Sequence, residues 1–264
     1  MWLNKDLEGL ICACCTYLIL FGVSWAIKII AIFPLGNENF IDPSLWSNIY
    51  SFFLIMASIC HLRTLLTDPG SISKDSAMEK SINPQTETCA KCQCFKSPRT
   101  HHCSTCGRCI LKMDHHCSWV NNCVGLYNQK HFILFLFYVL VCCLFTFVVF
   151  FLRATYCLWH DEANLCNKES SEASFDITVG SLVFIFTLFF SLFAGVMLHD
   201  QISCIANNTS GIDILKKSEI EKRSPKECFE EVFGGKFGFM WLLPIRNNFN
   251  QCSDKIRPNV LVKE

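Results

Sequence analysis

Asp114–His115–His116–Cys117 puts a carboxylate, two imidazoles and a thiol into four consecutive residues. All four side chains can ligate metal, and the same set can also support thiol chemistry assisted by an acid–base pair. Further ligand types crowd around them: Cys89-x2-Cys92-x-Cys94, then His101–His102–Cys103-x2-Cys106-x2-Cys109, then the tetrapeptide, then Cys123. These amount to eight Cys and four His. A closed tetrahedral zinc site takes four such ligands, so two ions would leave four groups over. The region holds few large apolar side chains, and about 40 residues of that kind need metal or disulfides in place of a core. A nucleic-acid finger is disfavoured, because the gap between a Cys pair and a His pair that the common finger requires is missing. Spacing by itself does not say which groups are spare.

The elements that must position this segment are apolar. The chain is 264 residues long, 51% hydrophobic and 17% charged, which is less charge than a soluble domain of that length carries. Leu10–Phe33 is interrupted only by Lys28, and Leu45–Leu62 carries only His61. Phe132–Leu152 and Ile177–Leu198 have no charge at all. A helix needs roughly 20 apolar residues to span a bilayer, so these four blocks are expected to be transmembrane helices. The first is too long for a signal peptide and is followed by no small-residue cleavage pattern. A channel or transporter would place ionisable residues in several helices, whereas only Lys28, His61 and Arg63 qualify here.

Basic residues set the expected orientation. The segment between the first two helices has no Lys or Arg, the one between helices two and three has eight, and the tail after helix four has ten. The segment between helices three and four has two, Arg153 and Lys168, among several acids. Both termini and the middle segment are therefore expected in the cytosol, although the formal net charge is zero. Reducing conditions there favour thiols and metal thiolates over disulfides. The expected architecture is an α-helical integral membrane protein with a small zinc-stabilised cytosolic domain between helices two and three. Its parts are 1–67 (helices one and two), 68–130 (the cysteine-rich domain), 131–206 (helices three and four) and 207–264 (a cytosolic tail).

The cysteine ladder ending in Asp114–His115–His116–Cys117 resembles the DHHC cysteine-rich domain of the protein S-acyltransferases (palmitoyltransferases). Matching elements include Pro98–Arg99–Thr100–His101–His102–Cys103, Trp119–Val120–Asn121–Asn122–Cys123–Val124–Gly125-x2-Asn128 and Asp68–Pro69–Gly70. The order of two helices, cysteine-rich loop and two helices extends the likeness along the chain. The resemblance implies two structural zinc ions, one held by Cys89, Cys92, His102 and Cys109, the other by Cys103, Cys106, His116 and Cys123. Cys94, His101, His115 and Cys117 are left over. A zinc-bound thiolate is already charge-stabilised and suits acyl exchange poorly, so the nucleophile is expected to be Cys117. His115 would take its proton, and Asp114 would fix the tautomer and orientation of His115.

The implied reaction moves a long-chain acyl group from palmitoyl-CoA through a Cys117 thioester to cysteines of substrate proteins. Expected partners are palmitoyl-CoA, the bilayer and cytosolic or membrane proteins with juxtamembrane cysteines, with no nucleic acid. The Golgi or endoplasmic reticulum is the expected location. Arg99, Arg108 and Lys112 are candidates for CoA phosphates. Phe145, Phe147, Phe184, Phe186 and Phe189 are candidates for limiting chain length. The alternative from another class is a non-catalytic zinc-bearing membrane adaptor. Three positions depart from the family pattern: Ser118 replaces the usual proline, Ser210–Gly211–Ile212–Asp213 replaces Thr-Thr-x-Glu, and Cys228 replaces an Asn in the tail. Phe237–Pro244 is too short to span and is expected to lie at the membrane interface.

Overall fold

A computed structural model describes Asn4 and residues 6–72, 88–94, 96–160, 166, 170–217 and 220–245. The polar stretch 71–87, which reads as a linker ahead of the cysteine ladder, lies almost wholly outside the described residues. Four helical stretches among the described residues are long and apolar enough to cross a membrane: Leu7–Asn37, Pro43–Leu66, Gln129–Trp159 and Ser171–Ala206. This is a multi-pass membrane protein. Each stretch outruns its apolar block, because helical hydrogen bonding continues into the flanking polar residues. The first consists of α1 (Leu7–Ile27), a π-helical turn (Lys28–Ile32) and α2 (Phe33–Asn37). α3 (Pro43–Leu66) follows; Asp42 Oδ1 accepts from the amides of Ser44 and Leu45 at its start, as an N-cap carboxylate does. After the cysteine-rich segment come α4 (Gln129–Trp159) and α5 (Ser170–Ala206), then α6 (Gly211–Lys216) and α7 (Pro225–Phe233) in the tail.

The chain divides into two compact units. One comprises Cys14–Ile59 and Phe135–Leu198. Its core joins Ile27, Ile30, Ile32 and Leu35 to Tyr50, Leu54 and Val149. Lys28 Nζ donates to Ser51 Oγ at 2.8 Å, so the charge inside the first span has a partner. Phe145 packs edge-on against Trp46 and Tyr50, and Phe147 against Phe184. Phe184, Phe186 and Phe189 remain exposed. A disulfide joins Cys157, in the last turn of α4, to Cys166 in the connection to α5. That pairing was not read from the sequence, where the cysteines that drew attention were those of the middle segment.

The other unit comprises Met1–Ala13, Cys60–Leu134 and His199–Glu264. Among its described residues are four three-residue strands: β1 (His101–Cys103), β2 (Arg108–Ile110), β3 (His115–Cys117) and β4 (Asn122–Val124). β1 pairs antiparallel with β2, and β3 with β4. The hairpins repeat one plan. His102 lies opposite Cys109 in the first and His116 opposite Cys123 in the second, with His101–His102–Cys103 and His115–His116–Cys117 as equivalent strands.

Asparagines fasten the second hairpin to the end of α3. Asn122 Nδ2 donates to the carbonyls of Thr64, Leu65 and Thr67, which a helix C-terminus leaves unpaired. Asn128 bridges the Thr64 and Cys123 carbonyls and accepts from the Gly125 amide. In the Asp68–Pro69–Gly70 turn, Asp68 Oδ1 accepts from the amides of Gly70 and Ser71, and the Gly70 carbonyl receives Leu111 N–H at 2.8 Å.

Gly125 is packed so closely that a Cβ would sit 2.6 Å from the Pro69 carbonyl oxygen and 2.8 Å from Ile110 Cγ2. Gly125→Ala is expected to destabilise this unit by about 1–3 kcal/mol through overpacking. Thermal melting of the purified protein checks this, with Gly22→Ala as the control: nothing lies within 4 Å of a Cβ there, and its melting temperature is expected not to fall.

Candidate functional site

Strand geometry divides the tetrapeptide. Side chains alternate across a β-strand, so β3 presents His115 and Cys117 on one face and His116 on the other. His116 Nδ1 lies 3.7 Å from Cys103 Sγ, 3.4 Å from Cys106 Sγ and 3.6 Å from Cys123 Sγ. His102 Nδ1 lies 3.1 Å from Cys92 Sγ and 4.0 Å from Cys109 Sγ. Two groups result, Cys89–Cys92–His102–Cys109 and Cys103–Cys106–His116–Cys123, and within each the ligand atoms lie within 4.8 Å of one another. These are the same two sets that the family resemblance implies. Tetrahedral ligands about 2.3 Å from a zinc ion sit roughly 3.8 Å apart, so the spacing suits a metal ion. Three thiols and one imidazole also form a donor set that favours zinc. Either group could hold such an ion.

The strands interleave the two groups: β1 sends His102 to one and Cys103 to the other. Cys94 is buried beside Cys89 and Cys109 and accepts the Cys89 amide at its carbonyl, but it belongs to neither group. Asn4 of the N-terminal segment reaches the second group, with Nδ2 3.7 Å from Cys106 Sγ.

Asp114 is 5% exposed, and both its oxygens are committed. Oδ1 accepts from the Gly211 amide at 2.6 Å. Oδ2 accepts from His115 Nδ1 at 2.6 Å and from Gln201 Nε2 at 2.7 Å. Burial pushes the carboxyl up, but His115, Gly211 and Gln201 outweigh it and hold Asp114 below its ordinary range. Burial pulls the His115 imidazole down, yet Asp114 and then Cys117 outweigh it and raise it to about 9. Phe132 meets the His115 ring edge-on at 5.3 Å. Cys117 is buried and is followed by a 3-10 turn, Ser118–Val120. His61 holds that turn through its Nε2, 3.0 Å from the Trp119 carbonyl.

The tail closes on this segment through pairs that the sequence did not disclose. Arg99 binds Asp213 at 2.8 Å and Asn208 at 3.1 Å. Lys112 binds Glu231 at 2.9 Å, and Glu231 also pairs with Arg223. Lys130 Nζ donates to the carbonyls of Phe233 and Met240. Of the three basic residues considered for CoA phosphates, Arg99 and Lys112 are thus engaged with the tail. At the second departure from the family pattern, Ser210 caps α6 by accepting from Asp213 N–H, and Asp213 supplies the acid that meets Arg99. At the third, Cys228 is buried in α7.

Likeness to known proteins agrees with this geometry. The family model for the DHHC palmitoyltransferase matches residues 82–218, more than half of the chain. Palmitoyltransferase ZDHHC3-A of Danio rerio is 33% identical over 265 residues, covering 96% of this chain and 82% of that protein. Palmitoyltransferase ZDHHC7 of Rattus norvegicus is 34% identical, with 92% and 80% covered. Probable protein S-acyltransferase 12 of Arabidopsis thaliana is 36% identical, with 75% and 72% covered. Interleaved Cys–His groups, a buried Asp bonded to a His beside a cysteine and four apolar spans therefore come together with likeness along nearly the whole chain: it belongs to the DHHC palmitoyltransferase family.

Proposed function

We propose that Cys117 is the thiol through which this protein S-palmitoyltransferase works, with His115 as its proton acceptor and Asp114 as the group that orients His115. The observation that carries the reading is the shared face of β3, where His115 stands beside Cys117 with its Nδ1 bound to the buried Asp114 carboxylate. In the first step the Cys117 sulfur attacks the thioester carbonyl of acyl-CoA. The carbon–sulfur bond to CoA breaks, and the CoA thiolate takes the proton that His115 received from Cys117. In the second step a substrate cysteine gives its proton to His115 and attacks the Cys117 thioester, which returns Cys117 to the thiol. One thioester is exchanged for another each time, so the protein's contribution is position and a thiolate.

The two Cys3His groups are each assigned a zinc ion, which supplies charge neutralisation and crosslinking and takes no part in the transfer. Palmitoyl chains prefer apolar surroundings by about 0.8 kcal/mol per CH₂, which suits a cysteine-rich segment joined at both ends to membrane spans. Substrates are then proteins with cysteines near the membrane face. Both termini and the cysteine-rich segment are placed in the cytosol of the Golgi or endoplasmic reticulum membrane. The distribution of basic residues supports that orientation, as does the Cys157–Cys166 disulfide, which falls in the connection assigned to the oxidising lumen.

The test is labelling of the purified full-length protein with palmitoyl-CoA, followed by mapping of the modified peptide. The expected label is released by hydroxylamine, maps to Cys117 and is absent from Cys117→Ser. An equal hydroxylamine-sensitive label in Cys117→Ser would remove the assignment.

A further inference from the structure

We propose that Gln201, backed by Gln129, is a positioning residue for acyl transfer. Gln201 aims the Asp114 carboxylate, and through it the His115 imidazole, at Cys117. This rests on the roles given above to those three residues. Both glutamines occupy unusual places. Gln129 is the first residue of α4 and Gln201 lies near the end of α5. They are 6% and 2% exposed, and a buried amide without partners is costly. Their partners define one direction. An ionised carboxylate only accepts, so Gln201 must turn its NH₂ toward Asp114 Oδ2, at 2.7 Å. Its Oε1 then faces away and accepts Gln129 Nε2 at 3.2 Å. The same rule makes His115 Nδ1 a donor to Oδ2 at 2.6 Å. The other ring nitrogen, Nε2, is buried and carries no hydrogen bond among the described residues, and it is the nitrogen left to receive the Cys117 proton.

Oδ1 is held by the Gly211 amide, and Oδ2 is shared between His115 and Gln201. Without Gln201 the carboxylate would keep only the Gly211 bond besides the His115 bond it has to orient. Orientation and tautomer are what such a carboxylate supplies to its histidine. The amides therefore act on the chemical step and leave acyl-CoA binding alone.

The experiment compares Gln201→Leu, Gln129→Leu and the double variant in the full-length protein, reading initial autoacylation rates against palmitoyl-CoA concentration. Zinc content and melting temperature verify folding. Gln201→Leu is expected to lower kcat about tenfold with KM within twofold, the pattern of a lost interaction specific to the transition state. Gln129→Leu is expected to lower it two- to threefold on its own and to add nothing to Gln201→Leu, as members of one network do. Alkylation of Cys117 by iodoacetamide, read on the Cys117 peptide, stays measurable in slow variants. It is expected to slow in Gln201→Leu and to change less than twofold when Gln201→Leu is added to Asp114→Asn. An unchanged kcat, a loss confined to KM, or an equal loss in the Asp114→Asn background would overturn the proposal. If Gln201→Leu does not fold, the kcat and KM of Gln129→Leu decide by the same criteria. Label surviving in Cys117→Ser would instead strike the reading on which the proposal rests, so the two failures are distinguishable.

Discussion

Cys109→Ser is expected to carry about one zinc ion in place of about two and to show no autoacylation above background. Cys109 is fully buried, sits opposite His102 across the first hairpin and belongs to the group farther along the chain from Cys117. The loss of activity is therefore not an effect on the thiol proposed as nucleophile. A structural zinc in a small domain contributes about 10–16 kcal/mol, comparable with the about 5–15 kcal/mol that holds a whole domain folded. The few buried residues around the metal groups, Ile110 and Met113 among them, cannot make up that loss. Because β1 supplies His102 to one group and Cys103 to the other, disorder in the first hairpin reaches the ligands that hold β3. Metal analysis after gel filtration, with labelling of the same sample, checks the prediction. Cys94→Ser is the control: it alters a buried thiol beside the same group without removing a ligand, and it is expected to keep both ions. Two ions per chain in Cys109→Ser would break the ligand assignment.

Glu231→Gln is expected to be the most damaging single change in the tail. The Glu231 side chain is 3% exposed and meets Lys112 from the cysteine-rich segment and Arg223 from the start of the tail. Removing the shared carboxylate leaves two cations facing each other. Breaking a buried pair in this way costs about 3–5 kcal/mol. Lys112 and Arg223 keep some contact with water, which brings the expected loss to roughly 2 kcal/mol. The contribution depends on pH in a definite sense. Burial pushes the Glu231 carboxyl up, but Lys112 and then Arg223 outweigh it, so the folded value lies below the ordinary 4.5. A lowered carboxyl stabilises the fold fully above its unfolded value and loses that contribution as pH falls through the folded value. Melting curves should therefore show the wild type above Glu231→Gln at pH 7, with the gap narrowing below about pH 4.5. A gap that stays constant down to pH 3 would assign the effect to packing.

The spans were legible because the bilayer imposes length and apolarity on a contiguous stretch, a one-dimensional property. The two Cys–His groupings were legible only through the family resemblance: spacing gave twelve candidates, and the choice between His115 and His116 depends on which face of a three-residue strand each occupies. What the sequence did not disclose is long-range. Gln201 meets Asp114, Glu231 meets Lys112 and Asp213 meets Arg99 across most of the chain, and nothing in the neighbourhood of any of these residues marks its partner. The Cys157–Cys166 pair escaped for a different reason, since nothing in the sequence singles out those two cysteines among 19. Even the departures from the family pattern became interpretable in three dimensions. Asp213 in place of Glu still delivers a carboxylate to Arg99, and Gly211 contributes only its amide.

The two hairpins carry one further implication, about the place of the proposed nucleophile. Cys103 and Cys117 hold equivalent positions in the two copies, 14 residues apart, and the first lies in a metal group while the second does not. On the role proposed for Cys117, the same strand position that offers one sulfur to a cation offers the other to an acyl carbon.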